Sequence, residues 1–217
     1  MSDFATRRRM MVDTQVRPSD VTKFPIIDAM LSVPRELYVP DSQRETAYIG
    51  ENLELSDDRV LLEPRTLAKI LDGLNIEPDE LVLDLGCGLG YSTALIAHMA
   101  EAVVAVEEDN AMAETAQATL LDQGIDNAAV LQGPLDQGAV KHGPFDVITI
   151  QGGVQEVPQT ILDQLKNNGR IAAIFMDGAL GQVKIGYKND GLVSWRFIFN
   201  AGAPILGGFW KTQSFQL

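Results

Sequence analysis

The sequence predicts an α/β protein: a doubly wound, mostly parallel sheet with helices on both faces and an antiparallel strand pair at its C-terminal end. Three observations predict it. From about residue 80 onward, short strand-like runs alternate with helical patterns. Those runs are apolar throughout rather than at every second position, which marks strands covered on both faces. Near the C-terminus two further runs are joined directly by Asn189-Asp190-Gly191, a hairpin turn.

The elements follow in order. Residues 1 to about 75 lack strong strand signals and read as a helical cap, with helices at about 3–14 and 22–32. Arg17-Pro18-Ser19 interrupts this cap and Val33-Pro34 closes it. A further helix begins at Pro64, a residue favoured in the first helical turn, and carries Leu67, Ile70, Leu71 and Leu74 at i, i+3, i+4, i+7 spacing. Leu81–Leu85 is the first buried strand, followed by a glycine-rich turn and a helix through about Met99. Ala102–Val106 is the next strand, with a helix at about 110–122; Ala128–Leu131 and Phe145–Ile150 are strands. A helix at about 158–167 ends at Asn168-Gly169, and Arg170–Phe175 is the last parallel strand. Gln182–Lys188 and Leu192–Phe199 form the hairpin. With no repeat, low-complexity tract or linker, residues 1–217 read as a single domain, 1–75 as its cap and 80–217 as its core and C-terminal strands.

Composition narrows the function classes. Hydrophobic residues make up 46% and charged residues 22%, the profile of a globular chain rather than a disordered one. Against 17 basic residues stand 30 acidic ones, a net charge of −13. Such a surface repels phosphate backbones and anionic lipid, so neither nucleic acid nor membrane is an expected partner. No stretch approaches the ~18 apolar residues of a membrane span. Arg7-Arg8-Arg9 reads as a solvated helix face, and the residues after it, Met10 to Arg17, are too polar for the core of a secretory signal. The cytoplasm is the expected location. One cysteine and two histidines provide neither a disulfide nor a structural zinc site, and no metal is expected. The oligomeric state is left open.

The sharpest motif is Leu83-Asp84-Leu85-Gly86-Cys87-Gly88-Leu89-Gly90-Tyr91, between a predicted strand and a predicted helix. Its glycines permit a tight turn and a close approach of ligand to backbone. The spacing is Gly-x-Gly-x-Gly, not the Gly-x-Gly-x-x-Gly that seats a pyrophosphate, and Asp84 would repel a phosphate. An acid just before such a turn is instead the pattern of S-adenosylmethionine (SAM) methyltransferases, whose ligand is cationic. Glu107 ends the next strand, 21 residues after Gly86, where a carboxylate accepts hydrogen bonds from ribose hydroxyls. Each bond to such a charged acceptor contributes roughly 1.5–3 kcal/mol. Cys87 fits the turn by its small size; nothing places His98 or His142 beside it to make a nucleophile.

With these residues in view, the chain resembles the protein-L-isoaspartate O-methyltransferases. Ala29–Val39, with Val33-Pro34-Arg35-Glu36 at its centre, the Glu63-Pro64 helix, the turn from Asp84 to Thr93 and Pro144–Ile148 fall in that family's order. Gly90-Tyr91-Ser92-Thr93-Ala94 is a telling piece, and the similarity spans roughly residues 20–175. The tail from Phe199 to Phe209 looks like a divergent branch. The resemblance implies a Rossmann-like methyltransferase fold, with SAM as cofactor and S-adenosylhomocysteine (SAH) as product. The implied acceptor is a protein or peptide carboxylate at isoaspartyl residues, whose methylation starts repair. It implies cofactor contacts from Asp84, Gly86, Cys87, Gly88, Gly90, Tyr91 and Glu107. No catalytic side chain is singled out. A carboxylate with a pKa of ~3.5–4 is already ionised at neutral pH, so alignment and desolvation do the chemistry.

Two positions depart from the family pattern. Where the family has a serine that helps hold the acceptor carboxylate, the run Arg59-Val60-Leu61-Leu62-Glu63-Pro64 places Leu62. Arg59 is the candidate cation for the acceptor, against plain solvent exposure. Where the family has Gly-Asp at the adenine end, the chain has Gly133-Pro134, leaving the Leu135 N–H and Asp136 as substitutes. Loss of one charged bond there weakens SAM binding by roughly ten- to a hundredfold. Alternatives therefore stay open: a member acting on another acceptor, or a non-catalytic one that binds SAM, its product or a protein partner. A dehydrogenase is disfavoured by the glycine spacing.

Overall fold

In the computed structural model, which describes residues 3–211, the expected alternation is present from residue 81 onward. The chain runs through α1 (Phe4–Met11), α2 (Phe24–Ser32), β1 (Leu53–Ser56), β2 (Arg59–Leu61), α3 (Pro64–Leu74), β3 (Leu81–Leu85), α4 (Tyr91–Ala97) and β4 (Ala102–Glu107). It continues with α5 (Asn110–Asp122), β5 (Ala128–Gln132), β6 (Phe145–Val154), α6 (Gln159–Asp163), β7 (Leu165–Asp177), β8 (Leu180–Asn189) and β9 (Leu192–Asn200). Seven strands form one sheet in the order β5-β4-β3-β6-β7-β8-β9. The first five are mutually parallel, and β8 and β9 add antiparallel to β7. Strand order reverses between β3 and β6, so the crevice at their carboxyl ends is where an open α/β sheet binds ligands.

Alternation along the strands divides the core in two. Val82 of β3, Val103 of β4 and Val147 of β6 join one apolar cluster with α2, α3 and α4, to which Leu67, Ile70, Leu71 and Leu95 contribute. Leu83, Val104 and Ile148, each one residue on, join the other, which α6, Leu135, Leu206 and Phe209 cover. The period of two that sends adjacent side chains to opposite faces explains why these strands are apolar throughout.

Three expectations are corrected. Residues 1–75 contain a β-hairpin, β1–β2, with Leu53 opposite Leu61. Strands of four and three residues around Ser56-Asp57-Asp58 are too short and acidic to show a strand pattern. The helix expected to reach 167 stops at Asp163. There the Gln164 side chain takes the Thr160 carbonyl (2.8 Å) and also bonds Gln137 O and Ala139 N, anchoring the chain elsewhere. Finally, Arg8 is not solvated. It donates to the Tyr48 hydroxyl (3.0 Å) and the carbonyls of Leu31 and Ser32, and pairs with Glu36 at 3.3 Å. Tyr48 in turn donates to the Glu36 carboxylate, so a charged cluster clamps α1 onto the segment after α2. Among the described residues no helix is long and apolar enough to cross a membrane.

Candidate active site

The glycine turn lies where β3 hands over to α4. Gly86 N–H donates to Val106 O of the neighbouring strand (2.8 Å), and Gly90 N–H to Cys87 O (2.9 Å). Gly86 and Gly88 have φ of +76° and +57°, a left-handed backbone that L side chains rarely adopt.

Asp84 is fully buried under this turn. One carboxylate oxygen accepts from the Ser92 and Thr93 hydroxyls of α4, each at 2.7 Å, and the other from Gln151 Nε2 of β6 at 2.8 Å. Burial raises its pKa, and the three donors oppose that shift. The acid thus ties β3, α4 and β6 together beneath the turn.

Glu107 ends β4 and is 1% exposed. Oε1 accepts from the backbone N–H groups of Glu108 (2.9 Å) and Asp109 (3.1 Å). Oε2 accepts from Gly88 N–H at 2.7 Å and from the Arg59 guanidinium at 2.5 Å. All of its roughly four acceptor positions are thereby used. Arg59 is accordingly neither solvent-exposed nor free for an acceptor: its side chain is 7% exposed and paired with Glu107. A Cβ on Gly86 would stand 3.1 Å from the guanidinium, so this close approach needs glycine there.

Other in-chain groups also reach the crevice. Leu55 Cδ1, from the same hairpin as Arg59, lies 2.6 Å from where a Cβ on Gly88 would stand. A C-terminal strap crosses the carboxyl ends of the strands. Gly153 N–H donates to Pro204 O (2.7 Å), Leu206 N–H to Gly153 O (3.0 Å), and Gln155 N–H to Phe209 O (2.8 Å). Along it Leu206 packs on Gly86 and Gly152, Gly207 lies beside the Glu108 carboxylate and Gly208 beside Asp136. Leu206 and Phe209 are buried.

The remaining candidates divide. Cys87 is buried within the turn and Leu135 lies under the strap, in the cluster that holds Leu206. Asp136, the adenine-side candidate, is half-buried and packs beside Gly208 of the strap. Tyr91 is fully buried and packs in the core, with the Arg35 guanidinium 4.9 Å from its ring centroid and Tyr38 at 5.8 Å, so its side chain serves packing rather than the crevice. Leu62 is 1% exposed, and its carbonyl accepts from Arg35 at 2.8 Å. His98 and His142 are exposed. Among the described residues no group of acids, histidines and cysteine could hold a metal.

Gln151, Arg35 and the strap residues Leu206 and Phe209 were not recognised as site residues from sequence. Arg35 sat in a quoted motif and Gln151 at a strand end, but their partners lie 27 and 67 residues away, beyond any local pattern. Burial pushes the Cys87 thiol well above its usual pKa, and the Asp84 and Glu107 carboxylates add to the shift. The native protein is therefore expected to resist iodoacetamide at pH 8 and to be alkylated at once in urea, as read by mass spectrometry. Rapid native alkylation would show that the turn opens readily.

Comparison with known proteins gives a consistent answer. The family profile described as protein-L-isoaspartate(D-aspartate) O-methyltransferase matches residues 7–194. A protein-L-isoaspartate O-methyltransferase of Syntrophus aciditrophicus (strain SB) is 34% identical over 171 residues, 79% of this chain and 78% of that one. One from Roseiflexus castenholzii (strain DSM 13941 / HLO8) is 29% identical over 98% of both chains. Among solved structures, a protein-L-isoaspartate O-methyltransferase superposes with TM-score 0.81 at 25% identity, over 93% of this chain and 66% of that one. A putative one from Plasmodium falciparum, in complex with S-adenosyl-L-homocysteine, gives TM-score 0.78 at 20% identity over 95% and 99%. That second likeness supports the fold.

Proposed function

The chain belongs to the protein-L-isoaspartate O-methyltransferase family, and from that premise we propose that it is a SAM-dependent enzyme that methylates a carboxylate of a protein or peptide at isoaspartyl residues. The observation that carries the reading is Glu107. It is a buried carboxylate at the end of β4, held beside a glycine turn at the switch point of the sheet and already accepting four N–H bonds.

The residues present suit the cofactor in kind: a carboxylate able to accept hydroxyl protons stands where ribose would lie, beside a turn whose Gly86, Gly88 and Gly90 carry no side chain. When bound, SAM supplies an electrophilic methyl group. What this chain contributes is position and dryness. Asp84, through Ser92, Thr93 and Gln151, fixes the turn. Leu55 over Gly88 and Leu206 on Gly86 make the surroundings of the turn apolar, and in such surroundings an acceptor carboxylate loses water and gains nucleophilicity. The acceptor is ionised at neutral pH, so no general base is required. Leu62 donates nothing to it and Arg59 is held on Glu107, so orientation falls to backbone N–H groups. The buried, unpaired Cys87 accords with a reducing compartment, and we place the enzyme in the cytoplasm.

A second reading is favoured by the saturated Glu107 and by Leu62: a family member that binds SAM or a partner but methylates something else. One experiment separates them. Methyl transfer from labelled SAM to an isoaspartyl peptide, with no transfer to the matching aspartyl peptide, is the expected result. SAH binding without any transfer supports the second reading. Absence of SAH binding at millimolar ligand removes the cofactor from both.

A further inference from the structure

We infer that Arg59 is an in-chain occupant of the ribose seat, and that cofactor binding is an exchange in which ribose hydroxyls replace its guanidinium on Glu107. The inference rests on the reading that this crevice holds SAM, and it assigns Arg59 the role of setting cofactor affinity.

Three of the four donors on Glu107 cannot leave. The N–H groups of Glu108 and Asp109 belong to the residues that follow it, and that of Gly88 is set by the turn. Arg59 alone arrives on a long side chain, from a two-stranded hairpin that is not part of the seven-stranded sheet. Its hold is narrow: among the described residues the guanidinium bonds one carboxylate oxygen, and its buried Nε has no hydrogen-bond partner. It also has somewhere to go. A polar cavity of about 330 Å³, lined by Ser56, Asp58, Arg59, Glu107, Glu108 and Asp109, opens beside the pair. Asp58, exposed at the hairpin turn, offers a second carboxylate there. Because Leu55 rides on the same hairpin and fills the space over Gly88, withdrawal of Arg59 with its hairpin would uncover both the acid and the turn.

An occupant that must be displaced lowers apparent affinity by the fraction of molecules in which the seat is free. Removing the occupant therefore raises affinity even though it removes a buried ion pair. That opposition of signs is what a purely structural role does not produce. The test is calorimetric titration of SAH into the wild type, Arg59→Ala and Arg59→Gln, with Tm measured on the same samples. The expected result is a Kd at least tenfold lower in Arg59→Ala together with a lower ligand-free Tm. Arg59→Gln, which retains a neutral donor to Glu107, should fall between and covers the case in which the alanine variant does not fold. Binding by the wild type with an unchanged or higher Kd in both variants overturns the exchange and leaves the SAM reading intact. No binding by any of the three at millimolar SAH overturns both.

Discussion

Replacing Glu107 by alanine is expected to lower the unfolding free energy by about 3–5 kcal/mol and to abolish measurable SAH binding. Removing one member of a buried ion pair leaves the other as an uncompensated buried charge, which costs about that much. Here the abandoned group is the Arg59 guanidinium, with a side chain only 7% exposed. Three backbone N–H groups lose their acceptor in the same step. The loss is read as a lower urea midpoint at unchanged slope. The double variant Glu107→Ala/Arg59→Ala removes both charges and is expected to recover at least half of it. A single variant within about 1 kcal/mol of wild type, on the scale of an exposed pair, would show that the crevice is wet and that this pair behaves as a surface one.

Arg35→Ala is expected to cost about 3–5 kcal/mol as well, through a different mechanism. Arg35 is completely buried, donates to Ala47 O at 2.7 Å and Leu62 O at 2.8 Å, and stacks over Tyr91. Truncation strands two buried carbonyls, each at about 1–3 kcal/mol, and opens a cavity against the ring. Arg35→Met restores most of the volume but neither donor, so it is expected to recover only the packing share, about 1–2 kcal/mol. Full recovery in Arg35→Met would mean that water satisfies both carbonyls. Because Leu62 O is one of them, Arg35→Ala should also loosen the segment leading into α3. Faster hydrogen exchange over residues 60–66 would report this.

Where neighbouring residues in the chain decide the outcome, the sequence was readable. The apolar runs of β3, β4 and β6, the α3 stripe from Leu67 to Leu74 and the α5 boundaries follow from local pattern, and the structure has them. The glycine turn and Glu107 were legible for the same reason, being parts of one strand–turn–helix–strand unit. The partners of these groups were not. Whether Arg59 faces solvent, an acceptor or Glu107 depends on how a nine-residue hairpin, its strands too short to announce themselves, docks 48 residues away in sequence. The early end of α6 likewise follows from where the Gln164 side chain bonds, and no propensity contains that.

The strap gives the crevice a history in time. Leu206 lies 120 residues after the Gly86 on which it packs, and Asn52 ties the hairpin segment to the strap by accepting from Glu63 N–H and donating to Gly202 O across 150 residues. Synthesis proceeds from the N-terminus, so the turn, Glu107 and the hairpin all leave the ribosome well before the residues that roof them. Contacts of such long sequence separation also form late when a finished chain refolds. There is thus an interval in every molecule's life when the nascent seat is unroofed, and a small molecule present then meets no strap to displace.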